Sequence, residues 1–161
     1  MPQFKGFAVL RTPHDLLLKL QHDMTRMSVD SSDEYAAFDF FVTAEHLIDW
    51  LHPGSKSDRE ALRGSDPLLK ITSHLANGAK HFAATAQHHK SVTSVERDGY
   101  ADDYFADDYV EEPIVITLSQ QEAIALGCSQ IDAITLAYRV LAHWQSKFPD
   151  APATARHQPL K

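Results

Sequence analysis

Several features that mark particular protein classes are scarce or missing in this sequence of 161 residues. Its one cysteine, Cys128, cannot form a disulfide within the chain, so the fold does not depend on an oxidising compartment. No apolar run approaches the ~18 residues that a membrane-spanning helix needs, and Phe7–Leu10 is too short for a signal-peptide core. The chain also has no Gly-rich phosphate loop and no Rossmann pattern. These absences favour a soluble cytoplasmic protein that contacts no membrane and carries no cofactor.

Positive charge is in deficit, with 15 Lys and Arg against 22 Asp and Glu and a net charge of −7. Seven of the acids lie in residues 98–112, which contain no Lys or Arg, and the rest of the chain is electrically balanced. The chain therefore lacks the overall excess of positive charge that is typical of proteins binding nucleic acid by neutralising phosphates.

Residues 98–112, called the acidic segment below, also contain four aromatic residues and a short duplication. Tyr100–Tyr104 has the sequence Tyr-Ala-Asp-Asp-Tyr, and Phe105–Tyr109 has Phe-Ala-Asp-Asp-Tyr. Dense like charge without apolar periodicity predicts a mobile loop. Solvated linkers are depleted in aromatic residues, so this composition is typical of a segment that docks on a surface. One hypothesis is therefore a non-catalytic protein-interaction module that docks through this acidic loop.

Caps and apolar spacing predict two helices in the first third of the chain. Thr12 as N-cap and Pro13 at the first helical position open a helix over residues 13–28. A second helix follows the cap Ser31–Asp33, runs to Leu51 and ends before Pro53. Residues 54–66 are predicted to be a polar connection with at most one helical turn.

The remaining pattern predicts two more long helices and one strand. The third helix starts at Ser65–Pro67 and ends near His88. Residues 91–112 are interpreted as a loop or an irregular hairpin, and 114–118 as a strand, since they are short and β-branched. A capping box at 119–122 opens a short helix that ends at Gly127, and a second box at 129–132 opens the last helix. The predicted buried face of that helix comprises Ile131, Ile134, Tyr138, Leu141 and Phe148.

Together these elements predict a mainly α protein, a bundle of about four principal helices with a short β element and a mobile acidic loop. Residues 1–148 are expected to form a single helical domain. Residues 149–161 contain three prolines and are expected to be a disordered tail.

The third helix carries a polar stripe on one side. It contains three histidines at intervals of seven, His74, His81 and His88. Lys70, Asn77 and Thr85 lie on the same side. Neighbouring histidines are then ~10 Å apart along the helix, too far to ligate one metal ion. A metal site would need Glu45 and Asp49 of the second helix together with His81 and a neighbouring histidine, which is one hypothesis. The other interpretation is a solvated or inter-helix polar face.

Asn77 and Gly78 both disfavour a helix interior. Either the helix bends at this point, or the small Gly78 lets another backbone approach and leaves Asn77 free to cap or bind. A tolerated packing glycine is the third interpretation.

Two segments resemble the HEPN superfamily: Tyr35–Phe38 with Glu45–Asp49 in the second helix, and His74–Phe82 in the third. Members of that superfamily are small helical domains, many of which are metal-independent ribonucleases in toxin–antitoxin and phage-defence systems. Their catalytic signature places an Arg a short distance ahead of a His. Ahead of His81, the positions 74–76 hold His, Leu and Ala, so the Arg is absent. The resemblance therefore implies a binding member or a degenerate ribonuclease.

The candidate binding residues are Glu45, Asp49, Asn77, Lys80 and His81, without an assigned catalytic residue. The expected partner is another protein or RNA, and self-association into a homo-oligomer is left open. If the second and third helices form one cleft, Glu45 or Asp49 should lie within reach of Lys80 or His81.

Overall fold

The structure is a computed structural model that describes residues 6–81, 89–97 and 112–148, without the side chains of Lys80 and His81. Within these ranges the fold is mainly helical, with six helices and a small antiparallel sheet of three strands. The elements follow in the order α1 (Pro13–Val29), α2 (Glu34–Leu51), α3 (Lys56–Gly64), α4 (Pro67–His81), β1 (Val92–Arg97), β2 (Ile114–Leu118), α5 (Gln120–Leu126), β3 (Gln130–Asp132) and α6 (Ala133–Lys147). The predicted fold class is confirmed.

Side-chain caps fix the starts of α1 and α2 where the sequence predicts them. The Oγ1 atom of Thr12 accepts the backbone N–H of Asp15 at 3.2 Å, and the Asp15 carboxylate accepts the N–H of Thr12 at 2.9 Å. At α2, the carboxylate of Asp33 accepts the N–H groups of Tyr35 and Ala36 at 2.9 and 3.0 Å. Each cap satisfies backbone donors that the first helical turn leaves without a partner.

The core lies between α1, α2, α4 and α6, with the sheet packed against one end of these helices. The predicted apolar stripes of α1 and α2 are buried: Leu17, Leu20, Met24, Met27, Phe40, Phe41, Ala44, Leu47 and Ile48. From α6, Trp144 is fully buried. Burying one such side chain stabilises the fold by about 1.5–3 kcal/mol.

A polar network joins α1 to α2 inside this apolar interface. Asp23 is only 2% exposed. Its Oδ2 atom accepts from Lys19 Nζ at 2.6 Å and from Thr43 Oγ1 at 2.9 Å, while the same Lys19 Nζ donates to Thr43 Oγ1 at 2.8 Å. A buried carboxylate is tolerated only with such partners, so this network fixes how the two helices face each other.

We expect Asp23→Ala to lower the free energy of unfolding by about 2 kcal/mol, because it leaves the buried Thr43 hydroxyl and the half-buried Lys19 without their acceptor. Urea denaturation followed by circular dichroism measures the loss. Glu60→Ala is the matched control, since Glu60 is 62% exposed and pairs with Lys56 at 3.6 Å; it should change stability by less than about 0.5 kcal/mol. Equal losses in both variants would contradict a stabilising role for the network.

The sheet has the order β1-β2-β3, with antiparallel pairing on both sides of β2. Strand β2 lies where the sequence predicts it, and its alternate residues Ile114, Ile116 and Leu118 are buried. Strand β1 falls within residues 91–112, which were predicted to be a loop or an irregular hairpin, but its partner strand β2 lies outside that range. Its register shifts between Val92 and Ser94.

Two local predictions are wrong. Residues 54–66 contain the nine-residue helix α3, which the Ser55 side chain caps by accepting the N–H of Asp58 at 3.3 Å. This helix buries no residue, so apolar periodicity could not reveal it. The predicted helix start at 129–132 is also wrong, because residues 130–132 pair with β2 as strand β3 and Asp132 is the actual N-cap of α6.

The buried face of α6 agrees with the predicted one at Leu141 but not at Tyr138. Its buried face includes Leu136, Ala137, Val140 and Trp144, whereas Tyr138, predicted to be buried, is 53% exposed. The hydroxyl of Tyr138 is hydrogen-bonded to the Ser28 hydroxyl at 3.1 Å instead.

Three predictions fall outside the described residues: the acidic segment between 98 and 111, the end of the third predicted helix at 82–88, and the tail at 149–161. Among the helices that the structure does describe, none is long and apolar enough to cross a membrane.

Candidate functional site

Helices α2, α3 and α4 enclose a cleft of about 840 Å³, called the central cleft below. Three predicted site residues line it together: Glu45 and Asp49 from α2, and Asn77 from α4. The predictions for Lys80 and His81 concern side chains outside the described part of the chain. The expectation that Glu45 or Asp49 lies near them therefore stays a prediction.

The cation at the floor of the central cleft is Arg63, which the sequence analysis did not identify. Helix α3 places its guanidinium between the two acids of α2: Nε donates to Glu45 Oε1 at 2.5 Å, and Nη2 donates to Asp49 Oδ1 at 3.0 Å. A second cation of α3, Arg59, lies 3.3 Å from Asp49 Oδ1. The spacing of Arg59 and Arg63 by four residues behind the cap Ser55 was the signal that could have revealed this helix face.

Glu45 is a buried acid with one engaged oxygen and one unpartnered oxygen. The residue is 7% exposed, and its Oε2 atom has no hydrogen-bond partner among the described residues. Burial raises the pKa of Glu45, and the positive charge of Arg63 opposes that rise. Arg63 therefore limits the rise in the pKa of Glu45 and favours its charged form.

We expect Arg63→Ala to lower the free energy of unfolding by about 3 kcal/mol near pH 7, because it leaves Glu45 buried without its cation. The loss should shrink near pH 4, where protonation of Glu45 removes the charge that Arg63 neutralises. Urea denaturation at the two pH values measures both effects.

The exposed Arg139 of α6 has no ion pair among the described residues, so Arg139→Ala serves as the control and should have little effect at either pH. A loss for Arg63→Ala that is the same at both pH values would show that Glu45 is not the group being neutralised.

Asn77 and Gly78 lie within a helix that continues to His81, so α4 does not end at this pair. The Nδ2 atom of Asn77 donates to the Ser73 carbonyl at 2.8 Å, one turn earlier in the same helix. A Cβ atom added at Gly78 would meet nothing within 4 Å among the described residues. Close approach of another backbone is therefore not what this glycine provides here.

His74, the first of the predicted histidine stripe, joins α4 to the sheet. Its Nδ1 atom accepts the backbone N–H of Val92 at 3.0 Å, and its ring stacks on His89 with centroids 5.5 Å apart. Burial lowers the pKa of His74, while the charge of Glu122 opposes that shift. Nδ1 can accept this bond only while it carries no proton, so the neutral ring is the structural form.

A histidine whose pKa falls on folding contributes stability at high pH and loses it as the pH falls through its ordinary value of 6.5. We therefore expect wild-type protein to lose stability between about pH 7.5 and pH 5, and His74→Asn to lose less, because an amide oxygen can accept the Val92 N–H at either pH. Chemical denaturation across this range measures the difference.

His46→Asn is the control, since His46 is exposed. It should follow the wild-type pH dependence, and an identical pH slope in all three proteins would rule out His74 as the titrating link.

The described part of the chain contains no group of three His, Cys, Asp or Glu side chains that could hold a metal ion. The position that a cation would take between Glu45 and Asp49 is held by the Arg63 guanidinium. The third ligand of the metal hypothesis, His81, is one of the two side chains that are not described.

Comparison with models of known protein families, with curated protein sequences and with solved structures finds no match for this chain. The HEPN resemblance therefore stays a prediction. The two helices that carry it, α2 and α4, pack against each other and line the same cleft.

Proposed function

We propose that this protein is a HEPN-like binding domain of a nucleic-acid-linked or defence-related system in the cytoplasm, and that its central cleft binds a phosphate group of RNA. The observation that carries the proposal is the charge of Lys70. Lys70 lines the central cleft, is half-buried, and makes no ion pair or hydrogen bond with another described residue.

The position of Lys70 makes this unpaired charge costly. It lies near the start of α4, where the helix dipole is positive and a cation is unfavourable. The acids closest to the cleft floor are already neutralised, because Arg63 bridges Glu45 and Asp49 and a second cation, Arg59, lies 3.3 Å from Asp49. The remaining charge of this part of the cleft is positive, and an anion rather than a metal ion complements it.

A phosphate at Lys70 would lie on the polar side of α4 that also carries Asn77, seven residues further along. The second amide proton of Asn77 is available, since one is given to the Ser73 carbonyl. In this proposal Lys80 and His81, further along the same helix, contact the following nucleotides. The Arg of the family signature is absent before His81, so the proposal is for binding without efficient cleavage.

We expect Lys70→Gln to weaken binding of a fluorescent single-stranded RNA dodecamer and to reduce the slope of log affinity against log salt by about 1, the value for losing one phosphate contact. Fluorescence anisotropy over a range of salt concentrations measures both quantities. The RNA should also remain intact over hours in the presence of a chelator.

Arg139→Gln removes the same charge from the exposed side of α6 and is the matched control. If it reduces the salt slope as much as Lys70→Gln does, binding depends on net charge and not on the cleft. Failure of the wild-type protein to bind the RNA at low salt would refute the proposal.

A further inference from the structure

A second cavity of about 500 Å³, called the β1 groove below, runs between the sheet and the helices α2 and α4. All six residues of strand β1 line it. The cavity therefore extends along the whole length of the strand.

The inner wall of the β1 groove is apolar and uncovered. Val95 pairs with Ile116 of β2, so the two side chains share the face of the sheet that packs on the helices. Ile116 is 1% exposed, whereas Val95 is 50% exposed. Across the groove, the Phe38 ring of α2 is 47% exposed, and Gly78 of α4 contributes no side chain. The helices therefore cover β2 and leave β1 open.

Within the described part of the chain, the backbone of β1 is also unpaired on its outer side. The strand pairs with β2 on one edge and has no ladder partner on the other edge among the described residues. Its ends are held, by the Arg97 Nε to Glu34 Oε1 contact of 2.8 Å and by the Val92 N–H to His74 bond of 3.0 Å. The open edge between these anchors spans six residues, about 17 Å of strand at 3.3 Å per residue.

We propose that the β1 groove is a docking site for an extended segment of another protein, which adds to the free edge of β1 as a strand. Unpaired backbone groups at a sheet edge are the template for this mode of binding, and alternate apolar side chains of the segment would fill the groove beside Val95 and Phe38.

The charge at the rim of the β1 groove indicates which residues should flank the docked segment. Glu34 and Glu96 line the groove and are exposed, and Arg97, the cation among its described lining residues, is already paired with Glu34. The rim is therefore negative, and it complements an apolar segment with Lys or Arg on its flanks. This inference is independent of RNA binding, because Lys70 is not part of the β1 groove.

The test uses the full chain and a fluorescein-labelled heptapeptide of alternating valine and threonine with a lysine at each end. We expect saturable binding by fluorescence anisotropy, and an affinity lowered about tenfold by Val95→Asp, which places a charge beside the apolar side chains of the peptide. The matched control Ile124→Asp changes a residue that is 76% exposed and lies outside the groove, and it should bind as wild type does. Circular dichroism checks that both variants are folded.

Backbone pairing is tested by peptides that are N-methylated at alternate residues. The N–H groups of an extended strand point alternately to its two sides, so methylation of one set should weaken binding by about fivefold per lost hydrogen bond, and methylation of the other set should not. Equal effects of the two sets would overturn strand addition. So would the absence of peptide binding up to about 1 mM.

Two other occupants give distinct results. If deletion of residues 99–110 is required before the peptide binds, the chain's own acidic segment is the occupant. If the protein is a dimer by light scattering and Val95→Asp makes it monomeric, a second copy is the occupant. Either result overturns the proposal of a different partner protein, whereas a monomer that binds the peptide without the deletion supports it.

Discussion

A carboxylate removed from water needs a cation or donors beside it, and this requirement determines how the helices assemble around α2. Asp23 of α1 meets it through Lys19 and through Thr43 of α2, at 2.6 and 2.9 Å. Glu45 of α2 meets it through Arg63 of α3, at 2.5 Å. The first contact joins α2 to α1, and the second joins α2 to α3. Each contact allows one arrangement of its two helices, where apolar packing alone would allow several. The central cleft exists because the second contact holds α3 beside α2.

Helices α1 and α2 and strand β2 could be predicted because their signals are local: a cap, an apolar period and a β-branched run. Helix α3 could not be predicted from apolar spacing, since it buries no residue, and the ion pairs that hold it reach residues 10 to 18 positions earlier in the chain. Residues 129–132 have the sequence of a capping box, but residues 130–132 pair with β2 as a strand. This long-range pairing outweighs the local preference for a helix start. Glu45, Asp49 and Asn77 could be placed in one cleft from helix faces alone. Arg63 required the tertiary structure.

The described residues separate two kinds of surface on the same pair of helices. Toward α3, α2 and α4 line a charged cleft in which the acids are neutralised and Lys70 is not. Toward the sheet, the same helices line an apolar groove that ends at an open strand edge. Phe38 lines both cavities and forms the boundary between them. The HEPN resemblance concerns the charged side, and nothing in it bears on the apolar side.

The shallow attachment of α3 has a consequence for how the protein opens. It buries no residue completely, its Leu62 packs against the core only in part, and its polar contacts with α2 run through Arg59 and Arg63. Ion pairs weaken as salt rises, whereas the apolar core of α1, α2, α4 and α6 does not. Detachment of this one helix costs less free energy than unfolding of the whole chain. Amide hydrogens of residues 56–64 should accordingly exchange with solvent earliest among the helices, and the wall of the cleft is also its least stable part.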